Sequence, residues 1–199
     1  MKIVVIGATG TIGKAVTAAL GSRHEIVKVG KTHGDLQVDI TDAASIRALF
    51  QRTGRFDALI CTAGKVHFGE FAKMTEKEMQ VGLKDKLMGQ VNLVLIGREH
   101  MNDGGSFTLT AGVLSHEPIR YGASASLVNG ALESFARAAA IELTRGLRIN
   151  VVSPGVLVES LPTFGDYFRG HEAVPGARVA NAYVKSVEGL LTGQVLEVL

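Results

Sequence analysis

The chain opens on an apolar run that stops dead on glycines: Ile3-Val4-Val5-Ile6, then Gly7-Ala8-Thr9-Gly10-Thr11-Ile12-Gly13. The run does not alternate polar with apolar, so it reads as a strand buried on both faces. Such strands belong to parallel sheets covered by helices on each side. Thr11 to Leu20 reads as a helix, with Gly21 just past its end. Glycines between a buried strand and a helix let the chain turn sharply, let a ligand approach the backbone, and let helix pack on strand. The free N–H groups and dipole at the helix start favour a diphosphate. The alternative is a plain strand–helix turn, which the place of the triplet after an N-terminal buried strand disfavours. The spacing is G-x-x-G-x-x-G and departs from the commoner G-x-G-x-x-G.

Strands and helices alternate from there. Strands are expected at Glu25–Val29, Leu36–Val38, Asp57–Cys61, Ser106–Thr110, Leu147–Val152 and Gln194–Val198. Helices are expected from Thr41 or Asp42 to about Arg52, from the capping box at Thr75 to the region of His100, over Gly122–Thr144, and over about Ala177–Leu191. Val156 to Pro175 reads as irregular, a length of loop that is often functional in a compact domain. That order predicts an α/β fold: a Rossmann-type, doubly wound parallel sheet of about seven strands with helices on both faces. With 199 residues and no linker or repeat, one domain spanning 1–199 is the simplest organisation.

Composition removes several function classes. A formal charge of +2 with scattered basic residues argues against a nucleic-acid grip. The N-terminal apolar run is too short for a signal segment or a membrane span. Cys61 is the only cysteine, so an intrachain disulfide is impossible, and a cytoplasmic, reducing setting is expected. The six histidines have no metal-ligand spacing, so no metal is expected. There is no G-x-S-x-G elbow and no P-loop lysine.

The second strand ends Val29-Gly30-Lys31-Thr32-His33, with no carboxylate at the place that usually holds an NAD ribose. Lys31 and Thr32 suit a 2′-phosphate, so NADP(H) is expected over NAD(H). An ordinary solvated lysine is the other reading of Lys31.

With these residues in place, the sequence resembles the short-chain dehydrogenase/reductase family along nearly its whole length. Gly7 to Gly13, through Thr9, Gly10, Thr11 and Ile12, is similar to that family's coenzyme loop. Asp39, followed by Ile40, resembles the aspartate beside the adenine. Thr62-Ala63-Gly64 resembles the end of the family's Asn-Asn-Ala-Gly motif. Ser153-Pro154-Gly155 resembles the Pro-Gly motif beside the nicotinamide, and Gly193 to Val198 the closing strand. The resemblance implies an oxidoreductase acting on a small carbonyl or alcohol, a mobile cover formed by 156–175 with Phe164, Tyr167 and Phe168 as its apolar wall, and a homodimer or homotetramer paired through the alanine-rich helix.

The catalytic motif departs from the family's. Its Tyr-x-x-x-Lys reads Tyr121-Gly122-Ala123-Ser124-Ala125 here: the tyrosine is present and the lysine is not. The family's active serine falls on Ala111, with the hydroxyl of Thr110 next door, and its helix asparagine falls on Lys86. The reading is Tyr121 as acid/base, Thr110 as a hydrogen-bonding partner of the substrate oxygen, and Lys86 as the cation that brings the tyrosine toward neutral pKa. The plain alternatives are a helix-opening tyrosine, a strand threonine and a surface lysine. Two functions follow: an NADP(H)-dependent oxidoreductase, or a dinucleotide-binding sensor or interaction protein with little catalysis.

Overall fold

A computed structural model describes residues 1–199. Seven parallel strands form one sheet in the order β3-β2-β1-β4-β5-β6-β7. They are β1 (Lys2–Ile6), β2 (Glu25–Gly30), β3 (Leu36–Gln37), β4 (Phe56–Cys61), β5 (Met101–Thr110), β6 (Arg148–Pro154) and β7 (Val195–Val198). The helices are α1 (Thr11–Leu20), α2 (Ala43–Thr53), α3 (Glu76–Gly82), α4 (Met88–Gly97), α5 (Ala123–Glu142), α6 (Leu161–Phe164) and α7 (Gly176–Glu188).

The expected double covering follows from β1 itself. Val4 and Ile6 point into one core with Leu49 and Phe50 of α2, Leu93 of α4 and Leu132 of α5. Ile3 and Val5 point into the other, with Val16 and Leu20 of α1 and Val179 and Tyr183 of α7. A strand with a core on each face has no polar positions to spare, hence the unbroken apolar run. The strand order reverses between β1 and β4, so the loops after them diverge and leave a crevice at their carboxyl ends, where open α/β sheets bind ligands.

Three elements differ from expectation. The helix from Thr75 starts as its capping box predicts, with Glu78 accepting the Thr75 N–H at 3.0 Å. It does not run straight to His100: a π-helical turn at Leu83–Leu87 splits it into α3 and α4. Such turns are rare, and many sit at functional sites. Strand β5 begins at Met101, paired with Phe56, and jumps register before Ser106 pairs with Ala58. The glycine turn read at 103–105 is thus an irregularity inside the strand, with Gly104 at φ +76°. The last helix stops at Glu188, short of Leu191, because Gly189 leaves the helical conformation.

Candidate functional site

The glycine loop is built for a close approach. Gly7, at φ +83°, turns the chain off β1, and its N–H is held by Val29 O at 2.8 Å. The end of β4 locks it from beneath: Thr62 Oγ1 donates to Ile6 O at 3.1 Å and to Gly7 O at 3.2 Å. A Cβ on Gly13 would sit 2.1 Å from Gly7 O, so helix and loop touch backbone to backbone. The N-cap of α1 is Gly10, which has no capping side chain, and the first turn holds no acid. The N–H groups of Thr11, Ile12 and Gly13 donate to no protein acceptor. Those bare donors, with the helix dipole behind them, suit an anion. Thr9 and Gly10 are exposed on the same loop.

On the β2 side of this helix end, a pocket is lined by Ile6, Gly7, Gly30, Lys31, Val38, Asp39, Ile40, Ala63, Gly64, Lys65 and Asp85. Lys31 Nζ lies 2.8 Å from Asp39 Oδ2. The Lys31 ammonium, with the Thr41 hydroxyl and N–H, holds the Asp39 carboxyl at a pKa of about 2. Asp35 is turned elsewhere and accepts the Lys28 N–H at 2.8 Å, leaving no carboxylate at the end of β2. Thr32 does not line the pocket; its hydroxyl pairs with His33 Nδ1 at 2.8 Å.

On the other side lies a cleft of about 230 Å³. Ile12, Ala111, Gly112, Pro154 and Gly155 form its inner wall, and Val66, Phe68, Leu114, Phe164 and Phe168 its apolar outer wall. The segment after β6 is less irregular than expected: short helical turns cover 158–167, and Leu157 bridges to Val174. Phe164 and Phe168 reach the cleft, whereas Tyr167 does not.

Lys86 is the only charged residue on that lining. Its Nζ donates to Ala111 O at 2.9 Å and to Asn129 Oδ1 at 2.7 Å. Lys86 therefore does reach α5, one turn beyond Ala125. No carboxylate pairs with it, and desolvation, the largest cause, lowers its pKa to about 8. Two irregularities make room for it. It stands in the π turn, where the neighbouring Asp85 carboxylate accepts the Lys65 N–H at 2.8 Å. Gly64, at φ +148°, lies against its stem, where a Cβ would come within 2.7 Å of Lys86 Cγ. Gly64→Ala should therefore displace the lysine and destabilise the fold by about 1–3 kcal/mol, readable by denaturant melts.

The other two expected catalytic residues do not join Lys86. The Thr110 hydroxyl is committed beneath the site: it donates to Cys61 O at 2.5 Å and pairs with Tyr183 OH at 2.6 Å. Tyr121 precedes α5 at φ +69° and is absent from the cleft lining. Its ring meets the Arg120 guanidinium at 4.7 Å and the Tyr167 ring at 5.9 Å, and it lines a second cavity with Glu70, Phe71 and Pro118. Cys61 is buried, and burial pushes its thiol up to about 12.

Sequence reasoning missed three polar residues here. Gln90 clamps both backbone groups of Thr110 at 2.9 Å, fixing the end of β5. Asn129 holds Lys86. Glu133, buried on α5, accepts Ser115 Oγ at 2.6 Å and Ser153 Oγ at 3.4 Å, and lies 3.2 Å from His116 Nε2. A signal was present: Ala125, Asn129 and Glu133 recur every four residues, placing two polar groups on the face that also buries Val128, Leu132 and Ala136.

Residues 7–183 match the family model described as Enoyl-(Acyl carrier protein) reductase. The chain belongs to the short-chain dehydrogenase/reductase family. This short-chain dehydrogenase/reductase is 28% identical over 179 residues to an uncharacterized oxidoreductase of Methylorubrum extorquens, covering 78% of this chain and 72% of that protein. It is 27% identical over 184 residues to versicolorin reductase 1 of Aspergillus parasiticus, covering 77% of this chain and 68% of that protein. Its structure superposes on a crystallised protein from Listeria innocua with a TM-score of 0.99 at 45% identity, covering 100% of both chains. A small-chain dehydrogenase in complex with NADPH gives a TM-score of 0.88 at 26% identity, covering 100% of this chain and 96% of that one. The family binds nicotinamide dinucleotides. No helix of this member is long and apolar enough to cross a membrane.

Proposed function

We propose that this chain is an NADP(H)-dependent oxidoreductase of a small carbonyl or alcohol, acting as one dinucleotide-binding domain over 1–199. One observation carries the reading: the bare N–H groups of Thr11, Ile12 and Gly13 lie between a lysine-bearing pocket and an apolar cleft. A nicotinamide dinucleotide has that layout, with a diphosphate between an adenosine and a redox-active ring. The backbone donors hold the diphosphate, Asp39 and Ile40 flank the adenosine with Thr62, Ala63 and Gly64 beneath it, Lys31 takes the 2′-phosphate, and Pro154-Gly155 backs the nicotinamide. When bound, the coenzyme supplies or accepts hydride in the cleft. Closure of Phe164 and Phe168 over the cleft excludes water.

Lys31 pairs with Asp39 in this structure and exchanges that partner for the phosphate. Lys31→Ala should weaken NADPH binding about 10- to 100-fold, the value of a charge-assisted contact, and leave NADH binding nearly unchanged. Fluorescence titration with both coenzymes measures it; equal losses would refute the 2′-phosphate role.

The second reading is a dinucleotide-binding sensor or interaction protein. Alanine at 111 and 125, with Tyr121 outside the cleft, favours it. A carbonyl panel followed at the NADPH absorbance separates the two: binding without turnover supports the sensor. Pairing into a homodimer or homotetramer is read from the groove between α4 and α5, lined by Val94, Leu95, Phe135 and Leu143, and light scattering tests it. The single buried cysteine fits a cytoplasmic setting.

A further inference from the structure

We infer that Lys86 itself is the proton donor to the substrate oxygen, and that the substrate is an apolar carbonyl compound held in the cleft of Val66, Phe68, Leu114, Phe164 and Phe168. The inference rests on the oxidoreductase reading above and goes beyond it by assigning the acid to a residue of the π turn. Three observations lead there. Lys86 is the one titratable side chain on the cleft lining. Its ammonium has three hydrogens, of which two go to Ala111 O and Asn129 Oδ1, leaving one for a third acceptor. Both fixed partners are neutral, so the charge has no counter-ion and favours a ligand oxygen on which negative charge develops. The other donors have been used elsewhere: Thr110 beneath the sheet end, Tyr121 in the second cavity.

The carbonyl carbon gains hydride from the reduced nicotinamide, the C=O π pair moves onto oxygen, and the oxygen takes the third proton of Lys86 Nζ. The products are the alcohol, oxidised coenzyme and a neutral amine, which regains its proton from water. Burial favours that neutral amine, and the pKa of about 8 places the acid near working pH. The ionisable groups around it are Cys61, neutral below about 12, Asp85, occupied by the Lys65 N–H, and Glu133, occupied by Ser115, Ser153 and His116. Apart from Lys86 and its partner Asn129, Ser160 is the one polar side chain on the lining, which argues for an alkyl or arylalkyl aldehyde or ketone over a sugar.

The test uses 3-phenylpropanal with NADPH for turnover, and 3-phenylpropanoate with NADP+ as a mimic of the charged oxygen, read by calorimetry. Wild type should reduce the aldehyde, with kcat/KM falling as pH rises through about 8, and should bind the carboxylate less tightly above that pH. Lys86→Met should lower turnover about 100-fold or more and lose the carboxylate, while NADPH affinity stays within about threefold. Lys86→Arg, which keeps a charge but cannot give up its proton, should retain the carboxylate and lose turnover. Turnover by Lys86→Met at the wild-type rate, loss confined to Tyr121→Phe, or no reduction by wild type with NADPH bound would each overturn the inference. Absence of NADPH binding to wild type is a different result and strikes the oxidoreductase reading instead.

Discussion

Gly13→Ala is expected to abolish NADPH binding at ordinary concentrations, a loss of more than about 100-fold. The added Cβ would lie 2.1 Å from Gly7 O and 2.8 Å from Ala8 Cα, both backbone atoms that no rotamer change can move. The helix start must lift away from the loop, and the N–H groups of Thr11, Ile12 and Gly13 then no longer converge on one diphosphate. Gly10→Ala is the control. Its Cβ meets only Gly7 O at 3.3 Å, and Gly10 sits at φ −76°, so a much smaller loss is expected. Coenzyme fluorescence with a thermal melt on each variant distinguishes lost binding from lost fold. Equal effects of the two substitutions would contradict the close-packed loop.

The second large effect is a pH dependence of stability that belongs to Lys86. Its folded pKa of about 8 lies below the ordinary lysine value of 10.5. Between those two values the unfolded chain binds more protons than the folded one, so wild type gains stability as pH rises from about 8 to 10.5. Below about pH 8 the cost of holding the ammonium in the cleft is present in full. The lysine remains partly open to water, which screens the effect, so a gain of roughly 1–2 kcal/mol relative to Lys86→Met is expected across that window. Denaturant melts of both proteins at matched pH values measure it. A constant difference between them would mean that the lysine is freely hydrated.

The fold was legible because its signals are local. An unbroken apolar strand, a glycine turn, a capping box at Thr75 and strand–helix alternation each follow from a few consecutive residues. Asn129 and Glu133 left only a partial signal, a four-residue recurrence on an alanine-rich helix whose burial is a tertiary fact. The π turn at Leu83–Leu87 left less still, since Leu-Lys-Asp-Lys-Leu reads equally well as a solvated stretch of α-helix. Only the packing of Gly64 against the lysine stem and the reach of its ammonium to α5 show that Lys86 turns inward. Position in a motif did not give the position in the fold. Tyr121 occupies the motif's first place, yet it lines the second cavity, and α5 meets the cleft through Ala125 and Asn129 instead.

The amide donors at the start of α1 are expected to hold a nicotinamide dinucleotide. Isothermal calorimetry of the purified chain with NADPH and with NADH tests this most directly. Saturable binding of one NADPH per chain, tighter than NADH and weakened by Gly13→Ala, is the predicted result. No heat of binding from either coenzyme would contradict it.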